Sequence, residues 1–230
     1  MDTSRSGLLI TGMVALVLGG GLGYAVGMNK DDGGVSRTAT TSQTAMTNTA
    51  SAVDLRVGMN NLLREHVSSS LDVTRAIADD APQPEIDGAI SSQTANAVAI
   101  AGAVGSVYGK EAEAKITEMF VEHIEASNDY ARAVAAGDEA AKATSLKELE
   151  EYLTEISAFF SGAIQGLPQD TVYKLLSEHE TLLNESVQAY QDGDFVRSYE
   201  TERKALEQVN GIADALAGGI VKTKPEAFKQ

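Results

Sequence analysis

Cysteine and tryptophan are absent from the 230-residue chain, and aromatic residues make up only 5% of it. Without cysteine the chain cannot form disulfides, iron–sulfur clusters, thiolate metal sites, a thiol nucleophile or a lipid-modified cysteine anchor. The apolar fraction of 43% is carried largely by alanine, which favours closely packed helices over a β-sandwich. Core packing must therefore hold the domain together, and a body of about 170 residues suffices for that.

Basic residues are also scarce, since 18 Lys and Arg against 33 Asp and Glu give a formal net charge of −15. A phosphate backbone would be repelled, so the sequence predicts no nucleic-acid partner. The hydrolase motifs Gly-x-Ser-x-Gly and His-Glu-x-x-His do not occur, and neither does the Glu-x-x-His motif of di-iron bundles. The sequence therefore does not favour an enzyme, and catalysis would have to depend on the three histidines.

One long uncharged run covers residues 7–28, and it predicts an N-terminal transmembrane anchor over residues 1–28. A helix of this length spans about 33 Å, which matches the hydrocarbon core of a bilayer. Arg5 before the run favours a cytoplasmic N-terminus and a domain outside the cytoplasm. A cleaved signal peptide is the alternative, with a small-residue cleavage site near Ala25. Both interpretations export the domain from the cytoplasm.

Small residues recur within this segment, and polar residues follow it. Gly19, Gly23 and Gly27 recur at four-residue spacing, so one face of the helix could approach a partner helix closely and form a homo-oligomer. Residues 29–51 are rich in Thr and Ser and lack apolar periodicity, which predicts a flexible linker. The helical bundle domain is then expected over residues 52–230.

Apolar residues in this domain recur every three or four positions, and five breaks containing Gly or Pro interrupt them. No segment alternates as a half-buried strand would. The pattern predicts an all-α fold of six helices, at residues 53–79, 85–108, 110–136, 139–165, 170–191 and 195–221.

The histidines mark an internal repeat. Each follows a glutamate, and His66, His123 and His179 are separated by 57 and 56 residues. Each Glu-His pair lies on one helix, and a turn and a second helix that ends in small residues follow it. The sequence therefore predicts a six-helix bundle built from three α-hairpin repeats of about 57 residues.

All three histidines fall on the core-facing stripe of their helices. An apolar residue stands three positions before each of them: Leu63, Phe120 and Leu176 in chain order. If the hairpins wrap around a common axis, the imidazoles converge and could bind a divalent transition metal such as Zn or Cu. A haem held between two of them is a further interpretation. If the hairpins stack by translation, the histidines are packing residues that hydrogen-bond a Ser, a Tyr or a backbone carbonyl. A pH-responsive core is the remaining alternative, because histidine titrates near neutral pH.

Several short segments resemble a family of exported or membrane-anchored, all-helical bacterial proteins that carry an AIGSVYG…HI…LP…H…PxxF series. The segments are residues 59–66 (MNNLLREH), 103–109 (AVGSVYG), 122–124 (EHI), 167–168 (LP), 220–221 (IV) and 225–228 (PEAF). After Gly109 this chain has KEAE, where the family usually has an Ala-Gly pair. The resemblance implies export, a helical fold and a role for the three histidines, and it implies no particular reaction.

These observations together predict an extracytoplasmic, membrane-anchored helical module that binds or senses a ligand, with His66, His123 and His179 as metal ligands. The alternative is a structural or interaction protein of the cell envelope that has no ligand and uses the histidines only for packing.

Overall fold

The computed structural model describes residues 50–229, and six α-helices and one short 3-10 helix account for most of this part of the chain. They are α1 (Ala50–Ala78), α2 (Gln83–Tyr108), α3 (Lys110–Ala136), α4 (Glu139–Ala163), α5 (Gln169–Gln191), α6 (Phe195–Thr223) and the 3-10 helix Pro225–Phe228. The all-α fold and its six helices are therefore confirmed. No helix in the described residues is long and apolar enough to cross a membrane. The anchor predicted at residues 1–28 and its three glycines lie outside the described residues.

Every helix boundary lies within three residues of its predicted position, because local signals fix the ends. Asp138 caps α4 by accepting hydrogen bonds from the backbone N–H groups of Ala140 and Ala141, both at 3.0 Å. Gly137, with φ of 67°, ends α3 in the left-handed conformation that glycine adopts without strain. At Ile164 the backbone becomes extended and the side chain is fully buried, so α4 ends two residues earlier than predicted.

The helices form a closed ring. Each packs against the next in sequence, and α6 packs back against α1. Helices α1, α3 and α5 also contact one another, and each even-numbered helix packs against the two odd-numbered helices that flank it in this ring. Three hairpins, α1–α2, α3–α4 and α5–α6, therefore wrap around a common centre that the odd-numbered helices line. This arrangement brings together the stripes that carry the histidines.

The main core lies between these inner stripes and the faces of the even-numbered helices that pack on them. Met59, Ile116 and Ile220 are completely buried, and Val172 is only 3% exposed. Near its end α6 approaches the α4–α5 connection so closely that a Cβ at Gly219 would overlap the side chain of Ile164. At Gly219, therefore, a small residue lets one helix close against a neighbouring segment.

Candidate metal centre

The three histidines meet in the centre of the ring. His66 on α1, His123 on α3 and His179 on α5 are 3%, 3% and 5% exposed. The ring centroid of His66 lies 5.7 Å from that of His123 and 5.9 Å from that of His179. Of the two arrangements that the sequence left open, the hairpins adopt the one that wraps around a common centre, and each contributes one imidazole.

Two aromatic side chains enclose the cluster. Tyr152 of α4 stacks on His123, with centroids 4.4 Å apart and planes 17° from parallel. Phe120 meets both His66 and His123 edge-on, at centroid distances of 5.8 and 6.2 Å. These contacts restrict the orientation of the imidazoles and limit the access of water to them.

The imidazoles are neutral at pH 7. Burial lowers the pKa of His66 to about 4 and the pKa of His179 to about 3. Burial also lowers the pKa of His123 well below its usual value, and repulsion from the other two imidazoles adds to that effect. A neutral imidazole has a free lone pair, and this is the form that coordinates a metal ion.

No hydrogen bond satisfies the Nδ1 atom of any of the three rings, although all three atoms are buried. Asn96 lies beside His66 and partly offsets the effect of burial on its pKa, but the side-chain amide of Asn96 donates to the carbonyl of Leu62 at 3.0 Å. The Oδ1 atom of Asn96 is itself unpaired. An unpaired buried polar atom costs about 1–3 kcal/mol. The Ser, Tyr or backbone partners expected of pure packing residues are therefore missing at Nδ1.

A buried carboxyl group that the sequence reasoning missed lies next to the cluster. Glu180 on α5 is 6% exposed, and its Oε1 lies 3.5 Å from Nε2 of His123. Burial raises the pKa of Glu180 to about 8. The repeat held a signal for it: Val67 and Ile124 occupy the corresponding position after the other two histidines, so this position faces the core.

The glutamates that precede the histidines behave differently. Glu65, Glu122 and Glu178 are all exposed and lie outside the cluster. These three glutamates are notable in the sequence because one of them precedes the histidine in each repeat. Their recurrence reflects the solvent-facing side of the inner helices.

A small polar pocket adjoins Glu180. Gln93 donates to Oγ of Ser70 at 3.2 Å, and Asn128 donates to the side-chain carbonyl of Gln93 at 3.1 Å. These side chains line a cavity of about 20 Å³ together with Glu180 and Asn184. This volume is about that of one water molecule. The carboxyl group of Glu180 therefore lies at the boundary between the histidine cluster and a polar pocket.

An acidic groove leads to the other side of the cluster. It lies between α3 and α4, has a volume of about 380 Å³ and is lined by Glu122, Glu125, Asp129, Glu148, Glu151, Tyr152 and Glu155. Tyr152 lines the groove and also stacks on His123, so one aromatic ring separates the groove from the cluster. Grooves lined by one sign of charge raise the local concentration of counter-ions, which here are cations.

No three His, Asp or Glu side chains of residues 50–229 are already spaced as the ligands of one metal ion. With metal–nitrogen bonds of about 2.0–2.1 Å, two imidazoles on a tetrahedral ion have centroids about 5.2 Å apart. The observed separations of 5.7 and 5.9 Å exceed this by roughly half an ångström.

No family model, no curated protein and no solved structure matches this chain. The resemblance to exported all-helical proteins stays a prediction.

Proposed function

We propose that this protein binds one divalent transition-metal ion, Zn or Cu, through His66, His123 and His179 in the centre of the helical ring. The observation that carries the proposal is the set of three buried, neutral imidazoles, one from each hairpin, whose Nδ1 atoms all lack a partner. A metal ion would supply the missing partner. Because imidazole is a ligand that Zn and Cu accept readily, these two ions fit the donor set.

The energetic argument separates this proposal from a purely structural role. If these positions served packing alone, leucine or phenylalanine would fill them without leaving a buried nitrogen atom unpaired. Three unpaired nitrogens in one cluster would each lower stability by about 1–3 kcal/mol. A bound ion offsets that cost, and the acidic groove beside Tyr152 would concentrate cations next to the site.

Elemental analysis and calorimetry of the full-length chain, purified in mild detergent, test the proposal. We expect about one Zn or Cu ion per chain after EDTA treatment and reloading. The melting temperature should rise with the ion, because a free ion concentration of 100 Kd adds about 2.7 kcal/mol of stability. His123→Gln should abolish most of this gain, and Glu65→Gln, an exposed residue that does not line the groove, should leave it intact. The absence of bound metal together with an unchanged melting temperature would leave the histidines with a packing role.

The proposed location is the cell membrane, with the helical domain outside the cytoplasm. It is supported by the uncharged run at residues 7–28 and by Arg5 before it. We expect the full chain in the membrane fraction after an alkaline wash, and a chain lacking residues 1–28 in the supernatant. A reporter enzyme that is active only outside the cytoplasm should be active when fused to the C-terminus. A full chain recovered in the alkaline supernatant would contradict the anchor, and an inactive reporter would contradict export.

A further inference from the structure

Each imidazole has two nitrogen atoms, and the proposed function uses one of them. The buried Nδ1 atoms of His66, His123 and His179 have no hydrogen-bond partner, and the ion is assigned to these atoms. The Nε2 atom lies on another edge of the ring. In metal sites the second ring nitrogen almost always donates its N–H to a carboxylate, a backbone carbonyl or water, which fixes the orientation of the ligand. The surroundings of Nε2 therefore affect how well the cluster binds an ion.

At His123 the group beside Nε2 is a carboxyl group. Oε1 of Glu180 lies 3.5 Å from this nitrogen, and both side chains are buried. Adjacent residues of a helix point about 100° apart, so Glu180 extends away from its neighbour His179 and reaches His123 on α3. Glu180 is therefore next to the edge of the His123 ring that the ion does not occupy.

Coordination through Nδ1 decides where the proton of His123 lies. A neutral imidazole carries one proton, and when Nδ1 gives its lone pair to an ion, that proton is on Nε2. The N–H group then lies beside Oε1 of Glu180. An ionised carboxylate and the carbonyl oxygen of a protonated carboxyl group both accept a hydrogen bond. Glu180 is thus a suitable partner in either form.

We infer that Glu180 is a positioning residue of the metal centre: it accepts a hydrogen bond from the Nε2–H group of His123 and holds Nδ1 of that ring toward the ion. This inference rests on the proposed metal-binding function. A separation of 3.5 Å is at the long limit of a hydrogen bond, and we expect it to shorten to about 2.7–3.2 Å when the ion is bound. Tyr152 stacks on the face of the same ring, so it and Glu180 together limit the rotation of this ligand.

The repeat shows how unusual this carboxyl group is. Val67 and Ile124 occupy the corresponding position of the other two hairpins, and they are buried aliphatic residues without an acceptor in the side chain. A buried carboxyl group is costly in a protein core unless it is paired. A hydrogen bond to a metal ligand accounts for the presence of Glu180 at a position that apolar residues fill elsewhere.

Two substitutions at Glu180 test the inference in the full-length chain, purified in mild detergent. Glu180→Gln keeps a neutral acceptor, and Glu180→Ile removes it. We expect the affinity for Zn²⁺, measured by competition with a chelator, to fall roughly 10–100-fold in Glu180→Ile and by less in Glu180→Gln. Glu178→Gln, which changes an exposed residue of the same helix, is the matched control and should bind as the wild type does.

The stability of the metal-free chain separates positioning from a structural role. Positioning predicts opposite changes in Glu180→Ile: the ion binds more weakly, and the metal-free fold at pH 8 is at least as stable as that of the wild type. If the carboxyl group only supported the fold, stability and affinity would fall together, and the inference would be overturned.

Histidine-selective ¹⁵N labelling reads the hydrogen bond directly, because the chain has only 3 histidines and the spectrum is simple. In the zinc-loaded wild type we expect His123 to coordinate through Nδ1 and to carry its proton on Nε2. The carboxyl acceptor should shift that proton downfield. Glu180→Ile should remove the shift, and Glu178→Gln should preserve it.

The outcomes separate the two proposals. If zinc is bound through Nε2 of His123, or if Glu180→Ile binds Zn²⁺ as tightly as the wild type, Glu180 is not a positioning residue and the ion is still held by the histidines. If the wild type binds no ion, the proposed function fails, and this inference fails with it. If neither Glu180 variant folds, the wild-type spectrum still decides, because a proton of His123 that is on Nδ1, or unshifted on Nε2, overturns the inference.

Discussion

Lowering the pH from 6.5 to 4.5 is expected to reduce the free energy of unfolding of the metal-free protein by about 2–4 kcal/mol. The unfolded chain protonates its histidines near pH 6.5, whereas the folded chain holds His66 neutral down to about pH 4 and His179 down to about pH 3. Over this interval the unfolded state therefore binds more protons than the folded state. Stability must then rise with pH and fall as acid is added, and each of these two histidines contributes about 2 kcal/mol.

Two other groups modify this loss of stability at low pH. His123 acts in the same direction, because burial also lowers its pKa. Glu180 opposes the histidines, since its raised pKa makes the folded state bind more protons than the unfolded state. Urea unfolding at pH 4.5, 5.5 and 6.5 in the presence of EDTA measures the net slope. His66→Gln should flatten the slope by about one histidine's share, whatever it does to stability at a single pH. A slope that His66→Gln leaves unchanged would show that burial does not hold His66 neutral in the fold.

The sequence was informative where the interactions are local. Helix ends depend on nearby caps such as Asp138 and on left-handed glycines such as Gly137, so the boundaries could be predicted to within three residues. The burial of the histidines followed from their position on an apolar stripe of helical period. These features depend on residues only a few positions apart, and a single sequence contains them.

The convergence of the histidines could not be predicted in the same way. It depends on whether three hairpins wrap or stack, and the contact between α1 and α6 that closes the ring joins segments well over 100 residues apart. Both arrangements would bury the same stripes. Hydrophobic periodicity therefore identified the histidines as core residues and left open whether they meet.

Glu180 and Tyr152 were missed for a related reason. A glutamate after a histidine and a tyrosine within an acidic run both suggest a solvated helix face when they are considered singly. In the structure Tyr152 stacks on His123, and Glu180 faces the core between α3 and α5. The alignment of Glu180 with Val67 and Ile124 was the available signal, because it contrasts a charged residue with two aliphatic residues at one position of the repeat.

Replacing Glu180 by isoleucine, the residue that the second hairpin has at this position, is expected to stabilise the metal-free protein at pH 8 by about 2–4 kcal/mol. The raised pKa of Glu180, about 8, means that the folded state retains a proton that the unfolded state loses near pH 4.5. Stability of the wild type is therefore lost as the pH rises from 4.5 to 8, and the variant lacks this loss. The part of the gain that comes from charge should nearly vanish at pH 4.5, where the carboxyl group is protonated in the folded state and about half protonated in the unfolded state.

This pH dependence separates the effect of charge burial from that of added apolar contact, which would stabilise the variant equally at both pH values. Urea unfolding in EDTA at pH 4.5 and 8 measures it, and Glu178→Gln serves as the exposed control, with a change within about 0.5 kcal/mol expected. A gain that is equal at both pH values would show that Glu180 carries no buried-charge cost. If the gain grows with pH and the variant also loses affinity for Zn²⁺, then the wild type keeps a destabilising carboxyl group beside His123 that favours binding of the ion. A residue that lowers the stability of the empty fold and raises that of the loaded fold makes stability depend on the metal, as a sensing module requires.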